Sequence, residues 1–305
     1  MRSFPRLRVN VFPGGFNWPI YVAQENGYFA REGVAVELQA TTGSVAQMTD
    51  FAAERCDIAM TAFDNIVAYV EGEGEAPIGA QPEFFAFLGS DDSFLSLVGA
   101  QGISRVTDLR GRSVSVDAAT TGYAFVLFDL LARAGLPQSD YAVAKAGGMK
   151  QRFEDLCRGG HSATMLSSPY DILAQQKGLR VLAPFGDAYQ GNVAAARRSW
   201  AEAHGEEIAA YARAYVAALN WLHDPANRAE AAVILERGTG MSPELASASY
   251  TRMLGQGGGF SQTGNIDEEG ARNVLCLRSR YGPTGRLLKD PGKYIDTQFW
   301  QQAHG

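Results

Sequence analysis

Residues 7–44 read LRVNVFPGGFNWPIYVAQENGYFAREGVAVELQATTGS, and their pattern decides the fold. Leu7, Val9 and Val11 alternate with polar residues, as a half-buried strand requires, and Pro13-Gly14-Gly15 breaks the run. A helix-like stretch follows from Ile20 to Phe29, and Gly33 stops it. Val34, Val36 and Leu38 restore the two-residue period before the loop Thr41-Thr42-Gly43-Ser44. Strand, helix, strand is a βαβ unit, and such units imply parallel strands covered by helices.

The grammar continues outward from there. A second helix runs to about Arg55, and Asp57-Ile58-Ala59-Met60 begins a third strand. The loop Thr61-Ala62-Phe63-Asp64 leads into a helix from Asn65 to about Glu71. Phe84 to Leu88 reads as a strand and Leu95 to Val98 as an extended crossover. The pattern then restarts with a turn at Asp108–Gly111, a strand from Ser113 to Val116 and the loop Thr120-Thr121-Gly122. Tyr123, Val126, Leu127, Leu130 and Leu131 recur at helical spacing, and Gly135 ends that helix. A helix from Arg152 to Cys157, the strand Ala163–Leu166, the loop Ser167-Ser168-Pro169-Tyr170 and the strand Val181–Ala183 complete this half. After Tyr189 the pattern is helical, with Ile208, Ala212, Tyr215, Leu219 and Leu222 on one stripe ended by Asp224-Pro225. Gly255 to Gly259 is glycine-rich but follows no strand, so it reads as a loop and not a phosphate cradle.

The expected fold class is therefore α/β, with two lobes each built on a parallel-rich sheet flanked by helices, and a helical C-terminal tail. Residues 1–91 with 190–305 are expected to form lobe one and residues 92–189 lobe two, with hinges near 90–95 and 186–190. Hinge closure around a ligand is one of the two-state motions such a layout permits.

Composition bounds the partners. The 305 residues carry a net charge of −6, with 46% hydrophobic and 20% charged residues. That argues against nucleic acid as a partner, which needs a clustered basic surface, and no Lys/Arg run stands out. No stretch reaches the ~18 apolar residues of a membrane span. No apolar leader core follows Met1, so the expectation is a periplasmic or other extracytoplasmic protein in mature form, with a cytosolic one still open. Cys56, Cys157 and Cys276 are widely spaced and beside apolar residues, which suggests small buried hydrophobes and neither disulfides nor a metal site. No cofactor motif is present. His161, His204, His223 and His304 form no HxxxH or HExxH pair, and no GxSxG elbow occurs.

Several segments resemble the type II periplasmic binding proteins of ABC importers, in the branch for sulfonates, taurine, nitrate and the thiamine pyrimidine. They are Phe12 to Pro19 with Ala23 to Gly33, Cys56 to Met60, Asp108 to Val116, and Gly159 to Thr164 with Ser168-Pro169. The order is the family's and the similarity spans almost the whole chain. The departures are Arg55 or Cys56 where a glycine is usual, and His161-Ser162 where an acidic residue is common. The resemblance implies two lobes, a ligand cleft between them, and a tail packing back on lobe one. It also implies a monomer working with a permease and an ATPase.

Ligands of open α/β sheets bind outside the carboxyl ends of the strands. That rule selects Phe16, Asn17, Trp18, Thr42, Gly43, Ser44, Thr61, Phe63 and Asp64 in lobe one. In lobe two it selects Thr120, Thr121, Gly122, Tyr123, Ser168 and Tyr170, with Tyr189 and Gln190 at the second crossing. Thr120-Thr121-Gly122 and Gly43-Ser44 open helices whose N–H groups suit an anion, though ordinary capping explains them equally. Trp18 has two readings, stacking on a planar ligand or plugging the core; Asp64 pairs with a ligand ammonium or caps its helix. No Arg or Lys sits in these loops, and Arg197 and Arg198 are the available cations beyond the hinge. The expected ligand is a small organic molecule, zwitterionic, neutral or singly anionic, with a flat or apolar part. The alternatives are an enzyme on the same fold, desulfinase-like or pyrimidine-synthase-like, and a cytosolic ligand sensor. A desulfinase needs a pocket cysteine, and the fungal pyrimidine synthases carry a cysteine-rich motif and a histidine not found in this sequence.

Overall fold

The computed structural model describes residues 4–79, 82–255 and 259–303. Two five-stranded sheets organise the chain. The first has the order β2-β1-β3-β10-β4, from β1 (Arg6–Val11), β2 (Ala35–Ala40), β3 (Ile58–Ala62), β4 (Phe84–Gly89) and β10 (Asn192–Arg197). The second has the order β7-β6-β8-β5-β9, from β5 (Ser96–Gly99), β6 (Ser113–Val116), β7 (Ala142–Lys145), β8 (Ala163–Leu166) and β9 (Arg180–Pro184). Each sheet has three parallel strands followed by one reversed strand: β10 is antiparallel to β3 and β4, and β5 to β8 and β9. Each reversed strand enters its sheet just after the chain crosses from the other.

The sheets are covered by α1 (Trp18–Glu25), α2 (Tyr28–Arg31), α3 (Ser44–Ala52) and α4 (Phe63–Val70) in the first part, and by α5 (Gly122–Arg133), α6 (Met149–Cys157) and α7 (Tyr170–Gln176) in the second. The tail adds α8 (Arg198–Ala203), α9 (Gly205–His223), α10 (Arg228–Thr239), α11 (Pro243–Leu254), α12 (Glu268–Tyr281) and α13 (Gln298–Gln302). The stretch read as one helix from Ile20 to Phe29 is two. Gly27 takes φ 67°, a left-handed value that costs glycine nothing, and turns the chain between α1 and α2.

Three expectations need correction. Strands do not stop at Tyr189, because Asn192–Arg197 is β10, a central strand buried from Val193 to Arg197. After Val193 its Ala-Ala-Ala core lacks the β-branched or aromatic residues that mark strands, and small side chains suffice where both faces are covered. The tail does not pack on lobe one alone. Arg278 of α12 pairs with Asp64 of α4, while Arg280 and Tyr281 reach Asp129 of α5 in the second part. Of the cysteines only Cys56 is buried; Cys157 and Cys276 are exposed at helix surfaces. His304 and residues 256–258 of the glycine-rich segment lie outside the described residues.

The two crossings are tied to each other. Asp91 Oδ1 accepts from Ser93 N at 2.8 Å and from Asn192 N at 3.1 Å, and Gly191 N donates to Asp91 O at 2.8 Å. Burial pushes the Asp91 carboxyl up to about 6, against the pull of the Asn192 and Ser93 hydrogen bonds.

Candidate functional site

The carboxyl ends of six parallel strands, three from each sheet, converge on one cavity of about 250 Å³. That is the liquid volume of about eight waters, room for a small solute. From the first sheet come Phe12, Pro13 and Phe16 after β1, Thr41, Thr42 and Ser44 after β2, and Ala62 and Asn65 at the end of β3. From the second come Asp117, Thr121, Gly122 and Tyr123 after β6, Gly148 to Arg152 after β7, and Ser167 after β8. Phe12, Pro13, Phe16 and Met149 give apolar wall, and the hydroxyls and amides are spread around it, the usual make-up of a small-molecule pocket.

The two sides touch at its rim. Ser44 N, the first residue of α3, donates to Asp117 Oδ2 at 3.1 Å, so a carboxylate of the second part caps a helix of the first. Glu75 Oε1 accepts from Thr120 N at 3.3 Å and its Oε2 from Lys145 Nζ at 2.6 Å. Arg278 Nη2 donates to Thr120 O at 2.8 Å. Gly122 is packed so closely that a Cβ there would lie 2.5 Å from Asp64 Cβ and 2.5 Å from the Tyr189 hydroxyl oxygen. Only glycine permits that approach.

Of the residues selected from sequence, Phe16, Thr42, Ser44, Thr121, Gly122 and Tyr123 line the cavity. Gly43 stands beside it, its missing Cβ 3.1 Å from Asp117 Oδ1. The others face elsewhere, each held by a partner of its own. Trp18 is fully buried, with Nε1 donating to Ala231 O at 2.9 Å and its ring edge-on to Tyr250, so it plugs the core. Asp64 neither caps α4 nor faces the cavity; Arg278 clamps it through Nε at 2.8 Å and Nη2 at 2.6 Å. Thr61 Oγ1 accepts from Asn65 Nδ2 at 2.9 Å, and Phe63 meets the Tyr294 ring. Asn17 is buried and donates to Phe12 O at 2.6 Å, which puts it behind the cavity wall. Thr120 bonds Glu75, Ser168 Oγ donates to Asp171 at 2.7 Å, and Tyr170 lies against Phe153. Tyr189 is buried between Tyr123 and Phe185, and Gln190 is spent on Asp91, Asn192 and Asp267. Arg197 is a buried β10 side chain donating to Phe51 O and Cys56 O, and Arg198 pairs with Asp296 at 2.9 Å, so neither reaches the cavity.

Sequence reading missed several lining residues, among them Phe12, Asn65, Asp117, Met149 and Arg152, and the last bears most on the chemistry. It lines the cavity from α6 and is only 3% exposed. Burial lowers its pKa, and the charge of Asp117 pulls the other way. The signal was available: Ala142 to Lys145 followed by Gly147-Gly148 is one more strand-and-turn before a helix, and its loop delivers residues 148–152. Tyr123 completes the inner end, its hydroxyl 2.8 Å from Ser93 Oγ on the first crossing.

No curated protein matches the sequence. Among solved structures, the nitrate-binding protein NrtA of Synechocystis PCC 6803 superposes with a TM-score of 0.80 at 12% identity, covering 99% of this chain and 88% of that one. The alkanesulfonate-binding protein SsuA of Xanthomonas axonopodis pv. citri, bound to MOPS, gives 0.76 at 13%, covering 97% and 100%. DszB in complex with biphenyl-2-sulfinic acid gives 0.67 at 12%, covering 99% of each. At these identities the likeness is one of fold, and the fold is the two-lobed α/β architecture of periplasmic binding proteins. The sequence match reaches further, since the profile of the NMT1/THI5-like family covers residues 17–229, and the chain belongs to that family.

Proposed function

We propose that this protein is a solute-binding protein that captures a small organic molecule between its lobes and delivers it to an ABC importer. The observation that carries the reading is the cavity itself, floored by strand ends of both sheets and rimmed by bonds from one side to the other. Lobe one would comprise residues 1–91 with 190–305 and lobe two 92–189, joined at hinges near 90–95 and 186–190. The paired crossings at Asp91 and Asn192 fit that role, being two short segments where rotation concentrates. Ligand would bridge the lobes and favour the closed form by contacts the open form cannot make. A permease would read the closed shape, in the periplasm, from a monomer.

The neighbours named as alkanesulfonate- and nitrate-binding proteins support this reading, and DszB keeps the enzyme alternative in view. The cavity lining carries neither cysteine nor histidine among the described residues. Cys56 lies outside it, its thiol pushed up to about 12 chiefly by burial, which leaves it a poor nucleophile. A thermal-shift screen against small organic acids, sulfonates, aromatic carboxylates, pyrimidines and nitrate tests the reading, because native-state binding raises the melting temperature by mass action. A hit recovered chemically unchanged supports a binding protein. A hit that is consumed overturns it in favour of an enzyme.

A further inference from the structure

Arg152 is a buried cation whose hydrogen bonds are incomplete. Nη1 donates to Met165 O at 2.9 Å and to Thr164 Oγ1 at 3.3 Å, which anchors one corner of the guanidinium to β8. Nη2 reaches only the Met149 sulfur at 4.0 Å, a weak acceptor. Nε has no partner. Among the described residues no carboxylate lies within ion-pairing distance of it. The Nε–Nη2 edge is the side of arginine whose two parallel N–H bonds match the two oxygens of an oxyanion. A charge held this deep with Asp117 acting on it only from beyond contact is costly, and the cost falls when a ligand supplies a paired one.

Two other charged residues line the cavity, Asp117 and the exposed Lys150, and Asp117 limits what that ligand can be. Asp117 comes from the same sheet as Arg152, after β6, with Oδ2 committed to the N-terminus of α3, so the protein's own carboxylate already fills that anion site. The N-terminus of α5 is different. No side chain caps it, Thr121 Oγ1 donating instead to Ala118 O at 2.9 Å, and Thr121 and Gly122 line the cavity. We infer that the ligand is a small monoanion with a carboxylate, sulfonate or sulfinate head paired by Arg152, a compact apolar body against Phe12, Phe16 and Met149, and no second negative charge, which Asp117 repels. This rests on the proposed role of the cavity as the solute site.

The test uses full-length protein and thermal shift at constant ionic strength. The probes are acetate, methanesulfonate, benzoate and benzenesulfonate, with acetamide and benzamide as uncharged partners and terephthalate as a dianion. At least one monoanion is expected to raise the melting temperature saturably, and no amide to do so. Arg152→Met should weaken that anion about thirtyfold or more. Without ligand it should melt no lower than the wild type, since it removes an unpaired buried charge. Asp117→Asn, which keeps an acceptor for Ser44 N, should improve terephthalate binding relative to benzoate. Ala62→Leu, which fills the cavity without touching charge, should also abolish the anion response. Loss of binding in Ala62→Leu but not in Arg152→Met would overturn the charge assignment and leave the cavity as the site. Unchanged binding in both would overturn the cavity reading itself. An amide that binds as well as its acid, or monoanions that are all silent, would overturn the monoanion inference directly.

Discussion

Replacing Gly122 with alanine should separate closure from ligand contact. The new Cβ would meet Asp64 Cβ and the Tyr189 hydroxyl oxygen at 2.5 Å, where carbon contacts settle at about 3.5–4.0 Å. Asp64 cannot step aside, because Arg278 holds both its oxygens. The α5 end of the second part must therefore back away by roughly 1 Å. Overpacking of this kind costs about 1–3 kcal/mol, and the share owed to Asp64, which the proposed lobe bounds put across the cleft, falls on the closed form alone. Apparent affinity should then drop about five- to 150-fold although the side chains lining the cavity are otherwise untouched. Titration calorimetry with a hit from the thermal-shift screen reads the affinity, and small-angle scattering of the ligand-free protein reads its radius of gyration. Affinity within twofold of wild type, with an unchanged scattering curve, would refute the claim that this contact gates closure.

Other consequences are as direct. Arg278→Met should leave Asp64 and Glu73 buried without their cation and cost about 3–5 kcal/mol of stability by urea denaturation; a loss below 1 kcal/mol would mean water reaches them. Asp91, raised by burial from 3.8 to about 6, favours folding in its protonated form, so its contribution is complete below pH 3.8 and fades as pH rises through 6. Relative to Asp91→Asn, the wild type should lose on the order of 3 kcal/mol between those limits, and a pH-independent difference would remove the buried-carboxyl explanation. Asn17→Ala should cost about 1 kcal/mol of stability by loss of the bond to Phe12 O, and weaken ligand binding only through displacement of that wall. A much larger loss of affinity than of stability would put Asn17 in contact with the ligand.

The parallel halves of both sheets were legible because Leu7, Val9 and Val11, or Ser113 to Val116 with the helix behind them, carry patterns that only one local structure satisfies. β10 was illegible because its alanines carry no periodic signal; its place follows from β3 and β4 needing a partner between them. β7 is an edge strand with mostly exposed residues, so it lacks an apolar face. Missing β7 concealed the loop that carries Arg152, the one buried cation in the cavity. The strand-end rule located the cavity wall but not side-chain direction. Trp18, Asp64 and Tyr189 lie near the right loops and turn toward partners distant in sequence, which no local pattern encodes.

The position of β10 also constrains how the chain can assemble. Among the described residues β10 is the one strand paired with β4, beside an isolated bridge from Ala86 to Ile295, and more than a hundred residues separate the end of β4 at Gly89 from the start of β10 at Asn192. While the chain emerges from the ribosome, one edge of β3 and the whole of β4 must wait unpaired. The second sheet has no such debt, for β5 to β9 lie in one continuous segment, residues 96–184. The half that comes second in sequence can therefore be finished first, and the half that begins the chain is closed last, by a strand that arrives from the far side of its completed neighbour.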